Sequence, residues 1–301
     1  MSKVTLDTGE LLAEVGDLEI CYQTFGHPND PPLLLIMGLG AQMIVWEDDF
    51  CVALASRGFW VVRFDNRDVG KSSKIAWTPP ADPGKAIAMR KPGEKIPAPY
   101  LLKDMAGDVV GLMDFLKIAS AHVVGASMGG MIAQELAIRW PARVRSLTSI
   151  MSTTGDPRLP PPSPEAMKVF TAPPPRTPEE YVEANVSAWR VLRGPDFPED
   201  EKRDRARALR AAARGFYPEG TQRQLLALYA SGSRKKTLPN VTAPTLVVHG
   251  VDDPLVPFAG GEDTAATIPG ARLVALERMG HSLPVAVWPR VIDEIVAITG
   301  N

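Results

Sequence analysis

The sequence predicts an α/β fold: a mostly parallel central sheet flanked by helices, with a helical cap inserted near its middle. Three observations predict it. Short runs such as PLLLIM (Pro32–Met37), FWVVRFD (Phe59–Asp65) and AHVVGA (Ala121–Ala126) are apolar almost throughout rather than at alternate positions, as strands buried on both faces of a parallel sheet are. Stretches of helical periodicity, Trp46–Arg57, Leu102–Leu116 and Met128–Trp140, separate or follow them, and such alternation across short loops implies right-handed crossovers. The alternation breaks once, between about Ser152 and Asn240, where helical stretches follow one another.

Taken in order, Leu11–Gly26 reads as two short strands around the Gly16-Asp17 turn. The next strand is Pro32–Met37. Trp46–Arg57 is a helix stopped by Gly58, and Phe59–Asp65 a buried strand. Helix Leu102–Leu116, strand Ala121–Ala126, helix Met128–Trp140 and strand Val144–Met151 follow. After the break come strands Thr245–His249 and Arg272–Leu276 and a closing helix, Pro284–Ile298. The intervening segment opens on DPRLPPPSPEAMKVFTAPPPRTPEE, which holds many of the 29 prolines. A flexible linker would not continue into three amphipathic helices, Tyr181–Leu192, Glu201–Arg214 and Thr221–Ser231. Residues 1–151 and 241–301 are therefore expected to form the core and 152–240 a cap. A second Pro/Gly-rich stretch, Thr78–Pro99, reads as a surface loop.

Composition narrows the function. With 301 residues, 45% of them hydrophobic, and a formal charge of −2, the chain has an ordinary globular make-up and no electrostatic footprint for nucleic acid or an anionic membrane. Cys21 and Cys51 are expected as two buried thiols. The N-terminal stretch has no apolar signal region and no run of 18 apolar residues exists, so a cytoplasmic protein is expected.

The chemistry is carried by GASMGG, Gly125–Gly130. Its G-x-S-x-G core centres Ser127 directly after a strand and before a helix, the turn on which a nucleophilic serine projects from the sheet's carboxyl edge. The helix N-terminus adds free N–H groups and a positive dipole end, which suit a developing oxyanion. A nucleophilic serine needs a base and the base an orienting acid, in the chain order Ser, Asp or Glu, His. Of the four histidines, His27 precedes most of the sheet, His122 opens the nucleophile strand at its wrong end, and His249 ends a strand before glycine. His281, in the loop RMGHSLP after the sixth β/α strand, fits both order and place. For the acid, TLVVHGVDDPLVP offers Asp252 and Asp253, and spacing alone leaves both open. The backbone N–H groups of Met128 and of Leu39, in the loop MGLGAQMIVW, are the candidate oxyanion donors.

These stretches, with FDNRDVGKS and MGHSLP, resemble the α/β-hydrolase superfamily along nearly the whole chain, and within it the carboxylesterases that include aclacinomycin methylesterase, which carry Met-Gly where the oxyanion loop begins, here Met37-Gly38. The resemblance implies nucleophile Ser127, acid Asp253 and base His281, oxyanion donors Leu39 and Met128, and neither cofactor nor metal. It makes Asp65, Arg67 and Ser72 structural braces of the loops around the site. The expected function is hydrolysis of small to medium carboxylic esters through an acyl-enzyme, with a small-molecule substrate. The same machinery serves C–C bond hydrolases, lactonases and perhydrolases, and a non-catalytic ligand-binding protein is the remote alternative. Met43, Trp46, Trp189, Phe216 and Tyr217 are candidate pocket residues between sheet and cap.

Overall fold

Leu33 and Leu35 belong to the apolar core on one face of the sheet, while Leu34 and Ile36 belong to the core on the other. This is what a run apolar at every position requires of a strand with period 2. The computed structural model describes residues 7–300 apart from 79, 81–83, 85–86, 88–93 and 198–199, so much of Thr78–Pro99 lies outside the described residues. The strands are β1 (Leu11–Val15), β2 (Leu18–Phe25), β3 (Pro32–Ile36), β4 (Trp60–Phe64), β5 (Ala121–Ala126), β6 (Val144–Ile150), β7 (Thr245–Gly250) and β8 (Arg272–Leu276). They form one sheet in the order β1-β2-β4-β3-β5-β6-β7-β8. β1 and β2 are antiparallel to their neighbours and every pairing from β4 to β8 is parallel. β5 lies next to β3 at the centre, with Leu34 opposite both Val62 and Val123.

Helices α1 (Asp48–Ser56) and α9 (Trp288–Thr299) cover one face. On the other face lie α2 (Leu102–Phe115) and α3 (Met128–Arg139). Two expected helices start later than their patterns suggest. Short 3-10 turns, Met43–Val45 and Val285–Val287, stand ahead of α1 and α9. Cys21 and Cys51 are buried and unlinked. Among the described residues no helix is long and apolar enough to cross a membrane.

Between β6 and β7 the chain runs through α4 (Pro164–Thr171), α5 (Pro178–Leu192), α6 (Glu201–Arg214) and α7 (Pro218–Ser231). The proline-dense stretch is not all loop. Ser163 caps α4 by accepting from the Ala166 amide at 3.1 Å, and Thr177 caps α5 by accepting from Glu180 at 3.2 Å. A proline follows each cap, where its missing N–H costs nothing. A ninth helix among the described residues, α8 (Ala259–Thr267) between β7 and β8, has the weakly helical sequence AGGEDTAAT, which sequence pattern alone did not predict.

Ion pairs fasten this helical segment to the sheet domain. From α6, Arg203 and Arg207 reach Glu47, Arg210 reaches Asp48, and Arg214 reaches Glu10 and Asp65. From α7, Arg223 forks onto Asp68 with bonds of 2.8 and 3.0 Å. The Arg223–Asp68 pair is fully enclosed, and Asp68 also accepts from Tyr100 Oη at 2.6 Å and from the Ile75 amide at 2.8 Å. A buried pair satisfied in this way avoids the usual desolvation deficit, whereas loss of one partner would strand a charge.

His122, on β5 under the ring of Phe59, gives a test of the packing. Burial, helped by the nearby Arg145 charge, pushes its imidazole down to about 4. Its folded value therefore lies below the unfolded value of about 6.5. Between these, the unfolded chain takes up a proton that the folded chain refuses, so stability falls as pH drops from about 6.5 to 4. Replacing His122 with Gln is expected to flatten this part of the profile. Urea midpoints of native and variant protein at pH 7 and pH 4.5 check it, and equal losses in both would contradict the assignment.

Candidate active site

Ser127 occupies the single residue between β5 and α3, at φ 55° and ψ −123°. A non-glycine residue there is strained and persists only where its surroundings hold it. Its amide donates to the Ile150 carbonyl at 2.9 Å, and its carbonyl accepts from Gly130 N at 2.9 Å and Ser152 Oγ at 2.8 Å. The glycines make the turn possible. A Cβ on Gly125 would overlap the Gly129 backbone, and one on Gly129 would overlap the Ile36 carbonyl oxygen.

The structure brings Ser127, His281 and Asp253 together across 154 and 28 residues of sequence. His281 Nε2 lies 3.0 Å from Ser127 Oγ and its Nδ1 2.7 Å from Asp253 Oδ2. All the rest of Asp253 is satisfied by its own turn, where Oδ1 accepts from the Leu255 and Val256 amides at 2.9 and 2.8 Å. Burial pushes the Asp253 carboxyl up, but the charge of His281 and hydrogen bonds from His249 and His281 outweigh it and hold it well below the usual carboxylate range. It stays ionised, and Nδ1–H donates to it, which leaves the Nε2 lone pair facing Ser127. Asp252 is exposed and contributes its amide, at 3.1 Å, to the Met279 carbonyl.

The loop after β3 passes against the serine, since a Cβ on Gly38 would stand 3.0 Å from Ser127 Cβ. Asn66 Nδ2 donates to the Met37 carbonyl at 2.9 Å, and Asp65 accepts from Met43 N at 2.7 Å and Lys71 N at 2.9 Å. Ser72 Oγ donates to the Asp65 carbonyl at 2.6 Å and accepts from Cys21 N at 2.9 Å. Arg67 forks onto Asp108 with two bonds of 2.6 Å. These contacts are those of loop braces. Met128 opens α3, so its amide has no acceptor within the helix.

The five candidate pocket residues sit among the following contacts. Met43 packs with Cys21, Ile44 and Ala211, close to Tyr181, whose ring meets Phe216 edge-on at 5.9 Å. Trp46 stacks on Phe50 at 5.5 Å, and its buried Nε1 has no hydrogen-bond partner among the described residues. Trp189 lies beneath the Arg207 guanidinium, and Tyr217 beneath that of Arg223.

Three features of the site have no motif. His249 is fully buried behind Asp253, 3.5 Å from Oδ2, with Nε2 2.8 Å from the Val256 carbonyl. The Arg193 carbonyl, at the end of α5, accepts from Gly280 N at 3.1 Å and Ser282 Oγ at 3.0 Å, the residues on either side of His281. Gln224, on α7, accepts from the Gly40 amide at 2.8 Å. Its only sequence signal is a stripe of Gly220, Arg223, Gln224 and Ala227 at helical spacing, polar where an inward face is usually apolar. Replacing Gly129 with Ala is expected to destabilise by about 3 kcal/mol or more, because a backbone carbonyl blocks the new methyl. Gly107→Ala, in α2 with only Trp140 at 4.0 Å, is expected to stabilise by about 0.5–1 kcal/mol. Urea unfolding of both checks the contrast.

A family model described as alpha/beta hydrolase fold matches residues 31–285. The chain is 33% identical to rhodomycin D methylesterase DnrP of Streptomyces peucetius over 294 residues, 91% of this chain and 92% of the relative. The structure is similar to the enol-lactonase of Burkholderia xenovorans LB400, with a TM-score of 0.73, 25% identity and coverage of 97% of this chain and 100% of that one. Its fold is also that of 2-hydroxy-6-oxo-6-phenylhexa-2,4-dienoate hydrolase (BphD) from Rhodococcus sp. strain RHA1, with a TM-score of 0.74, 22% identity and coverage of 99% and 100%. On the match to its family model and to its curated relative, the chain belongs to the α/β hydrolase fold family and is a hydrolase.

Proposed function

We propose that the protein is a serine carboxylesterase that cleaves small to medium carboxylic esters through an acyl-enzyme. The observation that carries this is the unbroken chain from Ser127 Oγ to His281 Nε2, 3.0 Å, and from His281 Nδ1 to Asp253 Oδ2, 2.7 Å. Similarity to a methylesterase supports an ester as substrate. In this reading Ser127 Oγ attacks the ester carbonyl carbon as His281 Nε2 takes the hydroxyl proton. The Asp253 carboxylate keeps the imidazole in the Nδ1–H tautomer and stabilises the imidazolium. The oxyanion rests on the N–H groups of Leu39 and Met128. Collapse of the tetrahedral adduct breaks the bond to the alcohol oxygen, which leaves with the proton from Nε2. Water, deprotonated by the same nitrogen, then attacks the acyl-enzyme and releases the acid.

In this reading the chain's own groups and water suffice for every step, and the esterase relative favours a small-molecule substrate. The helices between β6 and β7 serve as the cap, and the apolar side chains at their junction with the core, Met43 and Phe216 among them, favour an apolar acyl or alcohol group. A lactone is a cyclic ester and enters the same scheme, and the similarity to an enol-lactonase favours including one in any substrate panel.

Ser127→Ala is expected to reduce hydrolysis of p-nitrophenyl butyrate by several orders of magnitude and to abolish labelling by a fluorophosphonate probe. Retained turnover or labelling would sink the proposal. Asp253→Asn is expected to lower kcat by about 10⁴-fold through loss of the correct tautomer. Asp252→Asn, at an exposed position, should remain within about twofold of the native rate, the usual outcome at a neutral surface site. Steady-state kinetics of the two variants distinguish the neighbouring carboxylates, and the reverse order would move the acid to Asp252.

A further inference from the structure

The helical segment reaches the loop over Ser127 from α6, where Gln42 Nε2 donates to the Ala211 and Gly215 carbonyls at 2.8 and 3.0 Å, and from α7 at Gly40. Ala41 N donates to the Gly38 carbonyl at 3.3 Å and Gly40 has φ +65°. Gly38–Ala41 is thus a four-residue turn whose third residue is left-handed, the form of a type II turn. A type I turn differs by a flip of the central peptide, Leu39–Gly40, and both forms close the same outer hydrogen bond. Something must therefore select between them, and the N–H of that central peptide belongs to Gly40. It donates to Gln224 Oε1 at 2.8 Å.

Gln224 is fully buried and has little freedom to answer. Its Nε2 donates to the Arg67 carbonyl at 2.8 Å. A backbone donor on one side and a backbone acceptor on the other permit one orientation of the amide. The residues around it hold α7 in place. Arg223 forks onto Asp68, the residue after Arg67, and Gly220 lies so close to the Asp68 carbonyl that a Cβ would overlap it. The Thr221 side chain packs against Gly40. A flip of the Leu39–Gly40 peptide would put a carbonyl oxygen against Gln224 Oε1 and leave two buried acceptors facing each other.

We infer that Gln224 is a positioning residue for the reaction: by holding the Leu39–Gly40 peptide it steadies the Gly38–Ala41 turn, whose first peptide carries the Leu39 N–H proposed as an oxyanion donor. The inference rests on the esterase reading above and deepens it. The segment expected to choose the substrate also completes the charge-stabilising half of the site, so it cannot act as a lid that leaves a finished site behind when it lifts.

The test uses Gln224→Leu, which keeps bulk and loses both hydrogen bonds, and Gln224→Glu. Between an N–H and a carbonyl in a buried site the Glu carboxyl is held protonated, so that it accepts from Gly40 and donates to Arg67. Ser231→Ala is the control. It removes the acceptor of the Leu102 amide at the far end of the same helix. The readouts are kcat and KM for p-nitrophenyl butyrate, the inhibition constant of butylboronic acid, whose adduct on Ser127 carries the tetrahedral oxygen, and Tm. Gln224→Leu is expected to lower kcat by about 10–100-fold, below the 10²–10³ of an outright lost donor. KM should stay within about twofold, since the bond acts on the transition state alone. The boronate constant should rise in step with the fall in kcat. Gln224→Glu should recover most of both, and Ser231→Ala should lower Tm with kcat intact. Native kcat in Gln224→Leu, or a fall in kcat with unchanged boronate affinity, would overturn the inference. If Gln224→Leu does not fold, Gln224→Met, which keeps the unbranched length and also lacks the acceptor, takes its place with the same expected and overturning outcomes. Activity surviving in Ser127→Ala would instead defeat the underlying esterase reading.

Discussion

One residue in an unfavourable backbone conformation organises the centre of this molecule. Ser127 at φ 55° sits where an L-residue costs on the order of 1–3 kcal/mol, and the structure around it is arranged so that no relaxed alternative fits. Its amide is taken by β6, its carbonyl by α3 and Ser152. Gly125 and Gly129 let the strand and helix close to backbone contact, and Gly129 rests on the Ile36 carbonyl at the end of β3. The turn is therefore held by three parallel strands at once. A strand at an edge of the sheet has one neighbour and would supply only one such hold. β5 has β3 on one side and β6 on the other.

The same logic explains why Asp253 and His281, far along the chain, arrive beside Ser127. A serine raised at the carboxyl edge of a central strand can be met only by loops leaving that edge. Parallel strands deliver all of their outgoing loops there. β7 ends at Gly250 and sends out Asp253 three residues later, and β8 ends at Leu276 and sends out His281 five residues later. Asp253 spends Oδ1 on its own turn and Oδ2 on His281. The carboxylate is thus aimed before the imidazole arrives, and the buried His249 stands behind it at 3.5 Å.

What sequence can reveal follows from this division. The strands buried on both faces announce themselves because period-2 geometry gives both faces the same demand, as in LLLI of β3. GASMGG is legible because sterics forbid most other residues at those positions. The choice between Asp252 and Asp253 was not legible from spacing, since adjacent residues differ only in which way the turn throws them. The resemblance to a family implies Asp253, and in the structure Asp253, not Asp252, lies beside His281. α8 was missed because AGGEDTAAT lacks an apolar stripe and its glycines lower helix propensity. Those glycines are there for packing: Gly261 lies against the His249 ring, where a Cβ would clash. Gln224 and the Arg193 carbonyl leave almost no mark. A backbone carbonyl carries no residue identity, and one buried glutamine becomes informative only when its two partners are known.

The junction between the helical segment and the sheet domain is unusual in carrying so much charge. Five arginines from α6 and α7 reach carboxylates of the sheet domain, and the pairs range from exposed to enclosed. Arg210 and Asp48 are each nearly half exposed, while Arg214–Asp65 and Arg223–Asp68 are enclosed. Exposed pairs of this kind contribute about 0–1 kcal/mol each, so Arg210 and Asp48 can part at little cost. Enclosed pairs resist parting because opening the seam would leave charges partly desolvated. The enclosed pairs are the ones that hold Asp65 and Asp68, which in turn fix the loops on either side of Asn66 and its bond to the Met37 carbonyl. Gly38–Ala41 is held from α7 through Gln224, and the adjoining Gln42 from α6 through the Ala211 and Gly215 carbonyls. In the reading proposed above, these contacts fix the backbone beside Ser127 in advance, which is the condition under which N–H groups stabilise a developing charge best.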